Sequence, residues 1–408
     1  MPQENNFPEI YLAIDNCVAS KRWSVPADWM NLFADYGVSL VEASADNEID
    51  PLYTEPGYLR DWAEDVLSDA THTGVRVVNL YSGHGTYATL GLAHPDIRIR
   101  EKIHHQWLEK MVDLAAYMGT GLGFFCHAFD QRTLNSPERY SAAYKDLVKR
   151  FAELAEYADE KGVESIGVEQ MYSPHQIPWT VVGANNLVRD CFAVNRKNFY
   201  LTIDTGHQIG QKRFSVPDDG VLRGAFEQIR ASGRAESVYL GSAEAEKAII
   251  EGALKGNSDR MLLEISHNDR DRYPWLYAPA EDGDVYRWIS SLGAYSPIIH
   301  LQQTDGLHSS HEPFRIGDDG DPAKKINGKQ LLQALKTAYD RPPNPNMPAP
   351  CRKIVLTLEL FSGTAELASD IRNKIEDSVR YWRQFIPRDG QPLDVLADKF
   401  SDEKLKIY

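Results

Sequence analysis

The sequence predicts an α/β chain folded as a (β/α)8 TIM barrel. Short apolar runs rich in β-branched and aromatic residues alternate with longer amphipathic stretches along nearly the whole chain. The alternation repeats eight times, the number at which parallel strands close on themselves. The rival, an open doubly wound sheet, is disfavoured because no GxGxxG or P-loop sequence opens a helix.

The candidate strands are Glu9 to Asp15, Val38 to Ala43, Val75 to Tyr81, Leu122 to Cys126, Glu164 to Glu169, Phe199 to Asp204, Pro297 to Gln302 and Lys353 to Leu360. The helical stretches are 27–36, 58–73, 99–118, 138–161, 182–194, 285–292, 327–339 and 365–385. Gly37, Gly74, Gly119 and Gly162 each stop a helix just before a strand. The expectation is one barrel domain over 1–408 with an insertion at 211–280, between the sixth and seventh strands. That insertion carries one helix (Ser242 to Gly256) and the polar, aromatic piece HNDRDRYPWLY. Lying on the catalytic face, it suits a lid or an oligomer contact. The Pro-rich segment 341–350 reads as an extended connector, and 391–408 as an amphipathic C-terminal tail.

Composition narrows the class. The 408 residues carry 44 Lys and Arg against 59 Asp and Glu, a net charge of −15, which opposes non-specific nucleic-acid binding. No apolar run approaches the roughly 20 residues that span a bilayer, and the polar start, Met1 to Pro8, lacks a secretory h-region. Cys17, Cys126, Cys191 and Cys351 are scattered with no CxxC, which suits a reducing, cytoplasmic setting and argues against a thiolate zinc site.

In a barrel, function gathers where strands end. The fifth strand delivers Glu169, the sixth Asp204 and then His207, the seventh His300 and Gln302, the eighth Glu359. Singly, each has a bland reading as a helix cap or a hydrogen-bonded core residue. Four adjacent strands each ending in a ligand-capable group point to metal binding, because unpaired buried charges are costly. An oxygen-rich set with one imidazole suits Mn²⁺, Mg²⁺ or Co²⁺. His300 and Gln302 face the same way, so either can be the fourth ligand. At the mouth, Lys21 and Arg22 are cations suited to a phosphate, while His84 and His127 follow the third and fourth strands. His308 and His311 follow the seventh and line the site. Their i, i+3 spacing lacks the third ligand a separate zinc site needs.

This pattern of Glu, then DTxH, then HxQ, then Glu on strands five to eight resembles the xylose-isomerase-like TIM-barrel superfamily of sugar isomerases and epimerases. The segments IDNCVASKRW, EASADNEIDPLY, VEQMYSPHQIPWT, DTGHQIGQ and IIHLQQTDG are most similar to its erythrulose-phosphate 3-epimerase branch. The resemblance implies that Glu169, Asp204 and Glu359 are metal ligands and that His207 touches substrate oxygens. Gln302, standing where these epimerases usually carry a second His, would be the fourth ligand, and its weaker amide oxygen puts metal affinity in question. The long insertion is a second departure and leaves the substrate open. Such an enzyme would epimerise or isomerise a small ketose or ketose phosphate through an enediolate. Glu169 and Glu359 would exchange the proton across the substrate, while His207 and His300 donate hydrogen bonds. The rivals are a metal-dependent lyase or decarboxylase on the same barrel, a nuclease, disfavoured by charge, and a non-catalytic sugar-binding barrel. Homodimer and homotetramer both remain open.

Overall fold

In a computed structural model describing residues 7–83 and 91–399, eight parallel strands close into a barrel. They are β1 (Glu9–Asp15), β2 (Leu40–Ser44), β3 (Arg76–Tyr81), β4 (Gly121–Phe124), β5 (Ile166–Glu169), β6 (Tyr200–Asp204), β7 (Ile298–Leu301) and β8 (Lys353–Leu358). Neighbours in sequence are neighbours in space, and β1 closes the ring by pairing with both β2 and β8. A short ninth strand, β9 (Gln391–Pro392), which the sequence did not signal, pairs antiparallel with β1. It leads into a helix at Leu393–Asp398. Residues 400–408 of the expected tail lie outside the described residues.

Local chemistry accounts for the helix boundaries. Pro26, Pro56 and Pro137 open helices, where a missing N–H costs nothing. Gly74 and Gly162 end two of them with φ of 72° and 75°, a left-handed cap that L side chains resist. The expected helix 99–118 is interrupted by a π-helical turn at His104–Leu108. Among the described residues, no helix is long and apolar enough to cross a membrane.

The strands bury different layers on their two faces. Outward residues such as Leu12, Ile14, Leu201, Ile203 and Leu356 join the main core beneath the helices. Inside, Tyr11, Ala13, Leu40, Val78, Ile298 and Val355 form a small apolar plug. One residue pair further along, the interior turns polar, with His300 beside Thr357 and Glu42 beside Asn79. A register shift between Val41 and Glu42 in the β2–β3 ladder sets Glu42 opposite Asn79, whose side-chain N–H₂ donates to Glu42 Oε2 at 2.6 Å.

The segment after β6 differs from expectation. Besides short helical turns, it holds three long helices rather than one: Asp219–Ser232, Ala243–Leu254 and Asp259–Arg272. They bury a core of their own, led by Leu222, Phe226, Ile229, Ile249 and Leu262. HNDRDR lies within the third helix, and the YPWLY that follows docks onto the barrel. There the Trp275 ring stacks on Tyr140 at 4.4 Å between centroids, and Trp275 Nε1 donates to Leu134 O.

One buried acid marks a cost in this packing. Glu48 accepts from Trp29 Nε1 at 2.6 Å, and burial outweighs the help of the Trp62 and Trp29 N–H groups and pushes its carboxyl up to about 7. A carboxyl raised in the folded state favours the protonated native form, so stability is lost as pH rises from 4.5 towards 7. At about 1.4 kcal/mol per unit, Glu48→Gln is expected to gain about 2 kcal/mol more at pH 8 than at pH 5. Urea unfolding at the two pH values checks this, and an equal gain at both would refute it.

Candidate active site

The ends of β5 to β8 deliver their polar side chains to one place. A single ligand atom from each of Glu169, Asp204, His300 and Glu359 lies within 4.8 Å of the others, and all four residues are buried. His300 is the hub. Its Nδ1 sits 3.1 Å from Glu169 Oε1 and 3.3 Å from Glu359 Oε2, and its Nε2 sits 2.6 Å from Glu42 Oε1. Tyr81 stands edge-on to the His300 ring at 4.9 Å and its hydroxyl donates to Glu169 Oε2. Asp204 Oδ1 accepts from the backbone N–H groups of Gly206 and His207 at 2.7 and 2.9 Å, the turn that starts the next segment. His207 Nδ1 lies 2.7 Å from Gln170 O and 3.8 Å from Glu169 Oε1.

The electrostatics are uneven. Burial pushes Glu359 well above the usual carboxylate range, even against the His300 charge. Burial acts the same way on Glu169, but there the His300 hydrogen bond and the His207 charge prevail and hold it low. Asp204, also buried, is drawn down to about 2 by the charges of His207, His311 and His300 and the Gln302 hydrogen bond. Burial alone would lower His300, yet Glu42, Glu359 and Glu169 together raise it well above its ordinary value. Asp15, at the end of β1, is raised by burial and by Glu42.

Above this cluster lies a cavity of about 320 Å³. Glu169, His207 and Glu359 reach it, with Tyr81, Tyr172 and Phe361 among the wall residues. Its roof comes from the loop after β7. His311, with φ of 49°, stacks on Phe361 at 3.8 Å and places Nδ1 3.5 Å from Glu359 Oε2. Burial pushes His311 down to about 4. Gln302 ties that loop to the cluster. Its Oε1 accepts from the His311 backbone N–H at 2.8 Å, and its Nε2 donates to Asp204 Oδ1 and Oδ2 at 2.8 and 3.0 Å.

Among the described residues, the remaining expected site residues stand apart from the cavity. Lys21 reaches Ser20 Oγ at 3.1 Å, and Arg22 donates to the backbone carbonyls of Gly363, Thr364 and Glu366. His127 is buried beside Gln176, and His308 is largely exposed. His84 lies outside the described residues. No residue of 211–280 lines the cavity among the described residues. Sequence reasoning missed Glu42, Asp15 and Tyr81. Asp15 ends a strand just as Glu169 does, and Glu42 is the one charged residue in its apolar run, so both left a readable trace.

Residues 30–247, more than half of the chain, match the family of xylose isomerase-like TIM barrels. The chain belongs to that family. Solved structures resemble it over almost its full length. A Rhodospirillum rubrum ATCC 11170 protein, provisionally called a xylose isomerase, covers 92% of this chain and 99% of its own at 17% identity, with a TM-score of 0.64. An L-ribulose 3-epimerase covers 97% and 99% at 15% identity, with a TM-score of 0.52. The D-allulose 3-epimerase of Methylomonas sp., solved with D-allulose, covers 93% and 98% at 14% identity, with a TM-score of 0.53. At such identities the likeness concerns the fold. No curated protein sequence matches the chain.

Within this family barrel, the turn after β6 is packed tightly. A Cβ on Gly206 would meet Gln302 Cδ at 2.4 Å and its Oε1 at 2.5 Å. Gly206→Ala is therefore expected to push the Gln302 amide off Asp204 and His311 and to cost about 1–3 kcal/mol. Chemical denaturation measures the cost, and an unchanged midpoint would show that the amide yields freely.

Proposed function

We propose that the chain is a metal-dependent epimerase or isomerase of a small, unphosphorylated ketose. The observation that carries the reading is the convergence of Glu169, Asp204, His300 and Glu359 in one buried cluster, from which Glu169 and Glu359 reach the cavity. A cation fits there on the chain's own terms. Glu359 Oε2 is buried beside the His300 and His311 nitrogens at 3.3 and 3.5 Å, and the carboxylates of Glu169 and Asp204 bring oxygens to the same cluster within 4.8 Å. Such hard, oxygen-rich donors suit Mn²⁺, Mg²⁺ or Co²⁺. When bound, the ion supplies Lewis acidity to the substrate carbonyl and so acidifies the neighbouring C–H.

The chain's residues then divide the proton work. Glu169, held ionised, is the base, with Tyr81 and His300 fixing its two oxygens. Glu359, the other glutamate of the cluster that reaches the cavity, is the group that returns the proton. His207 and His311 face the cavity and can hydrogen-bond the substrate's oxygens as the enediolate develops.

The relatives named for L-ribulose and D-allulose support a ketose substrate. The lining supports a neutral one. Among the described residues it contains no Lys or Arg, and residues 84–90 carry none in their sequence. Of the two cations expected to greet a phosphate, Arg22 is engaged by the 363–366 backbone and Lys21 reaches Ser20 Oγ. The volume, at the small end of ligand pockets, suits a short sugar.

Solvent deuterium wash-in, followed by NMR on metal-loaded protein, tests the reading. The panel comprises free ketoses of four to six carbons and their phosphates. Exchange beside the carbonyl is expected for a free ketose, with Glu169→Gln and Glu359→Gln each lowering it by about 10²-fold or more. No exchange on any panel member, with an ion bound tightly, would overturn the enzyme reading. Faster exchange on the phosphates would overturn only the neutral substrate.

A further inference from the structure

Far from the cavity in sequence, the π-helical turn His104–Leu108 lies between helical Ile97–Ile103 and Glu109–Met118. A π-turn joins residues i and i+5 and is rare enough to call for a reason. Here the Glu109 backbone N–H donates to His104 O. In an α-helix Glu109 would pair with His105, four residues before it, and miss His104. The widened turn lets it reach both. Glu109 Oε1 lies 2.8 Å from His105 Nδ1 and 3.6 Å from His104 Nε2, and the two rings are 4.6 Å apart. One ligand atom from each of the three lies within 4.8 Å of the other two.

The surroundings favour a cation. His104 is 2% exposed, and its Nδ1 makes no hydrogen bond. Burial and the His105 charge push it down to about 4, which leaves a neutral imidazole with a lone pair to give at pH 7. The three residues open on a groove of about 410 Å³ shared with helix Pro137–Lys161. That groove gathers Glu153, Glu156 and Glu160 beside Glu109. Its own cations are already paired, Arg150 with Glu101 at 2.6 Å and Asp146 at 2.9 Å, and Lys149 with Glu153 at 3.4 Å.

We propose that His104, His105 and Glu109 form a second divalent-metal site, of two imidazoles and one carboxylate, that pins the π-turn of this helix. Two nitrogens and one oxygen are a zinc-type donor set, with a further position open to water or to a groove carboxylate. This separates it chemically from the carboxylate-rich barrel cluster, and the inference does not depend on the proposed function.

The test is zinc binding to metal-stripped, full-length protein preloaded with saturating Mn²⁺, followed by calorimetry and by metal analysis after dialysis. The wild type is expected to hold one more zinc than His105→Ala or Glu109→Gln, each of which weakens that ion at least tenfold. His105 is exposed and Glu109 only partly buried, so both variants should fold. Circular dichroism and thermal unfolding without zinc check this, and with zinc only the wild type should gain stability. Glu169→Gln is expected to keep the ion. A wild type with no such zinc, or a zinc that both variants retain, would overturn the site.

Discussion

A single imidazole, His300, carries the acidic heart of the barrel. Glu42, Glu169 and Glu359 all meet its two nitrogens within 3.3 Å, and none of the four is more than 6% exposed. Burying even one unpaired carboxylate costs several kcal/mol. The cluster lowers that cost in two ways. His300 is raised and so supplies positive charge between the acids, while Glu359 and Asp15 are raised and shed negative charge. Glu169 stays low through the His300 hydrogen bond and the His207 charge, and Asp204 through the charges of three imidazoles and the Gln302 hydrogen bond. The asymmetry between two neighbouring glutamates follows from their partners. Tyr81 and His300 engage both Glu169 oxygens, at 3.1 Å in the case of His300, whereas Glu359 Oε2 stands farther from the same ring at 3.3 Å.

The barrel makes this arrangement possible by layering its interior. Period-two alternation sends Ile298 and His300 inward on β7 and Val355 and Thr357 inward on β8, with each pair in register. The lower layer is the apolar plug and the next is the His300 layer. The irregularity at Val41/Glu42 brings β2 into the same scheme, since it aligns Glu42 with Asn79. Removing the plug's hydrocarbon from water offsets part of the cost of the charged layer above it.

The fold was legible because its signals are local. Apolar runs, proline starts and glycine stops place all eight strands within a few residues, and β1 and the helix Val285–Leu292 match at both ends. The strand-end rule also found Glu169, Asp204, His300 and Glu359. It did not find Glu42, whose partner lies 258 residues away in sequence. Nothing local announces that pairing. The inserted helices were legible only in part. Asp259–Arg272 is largely charged and buries little beyond Leu262, Leu263, Ser266 and Asp269, so its stripe is weak in isolation. Arg22 illustrates the opposite limit: a cation beside a barrel mouth has backbone carbonyls as well as ligands to satisfy it, and Arg22 uses three.

Gln302 shows why a departure from a family pattern can be structural. The resemblance leads one to expect an imidazole at this strand end. A neutral imidazole has one donor and one acceptor on opposite sides of a rigid ring, whereas a primary amide presents an acceptor and two donors at one flexible tip. Gln302 uses both ends at once, its N–H₂ on Asp204 and its carbonyl on the His311 backbone N–H. That N–H belongs to a residue in the left-handed region, a conformation that needs support from its surroundings. The amide supplies it and thereby sets the His311 ring against Phe361, with Nδ1 facing Glu359. An imidazole absent from the strand end is thus present at the cavity roof, carried there by the loop that the glutamine holds.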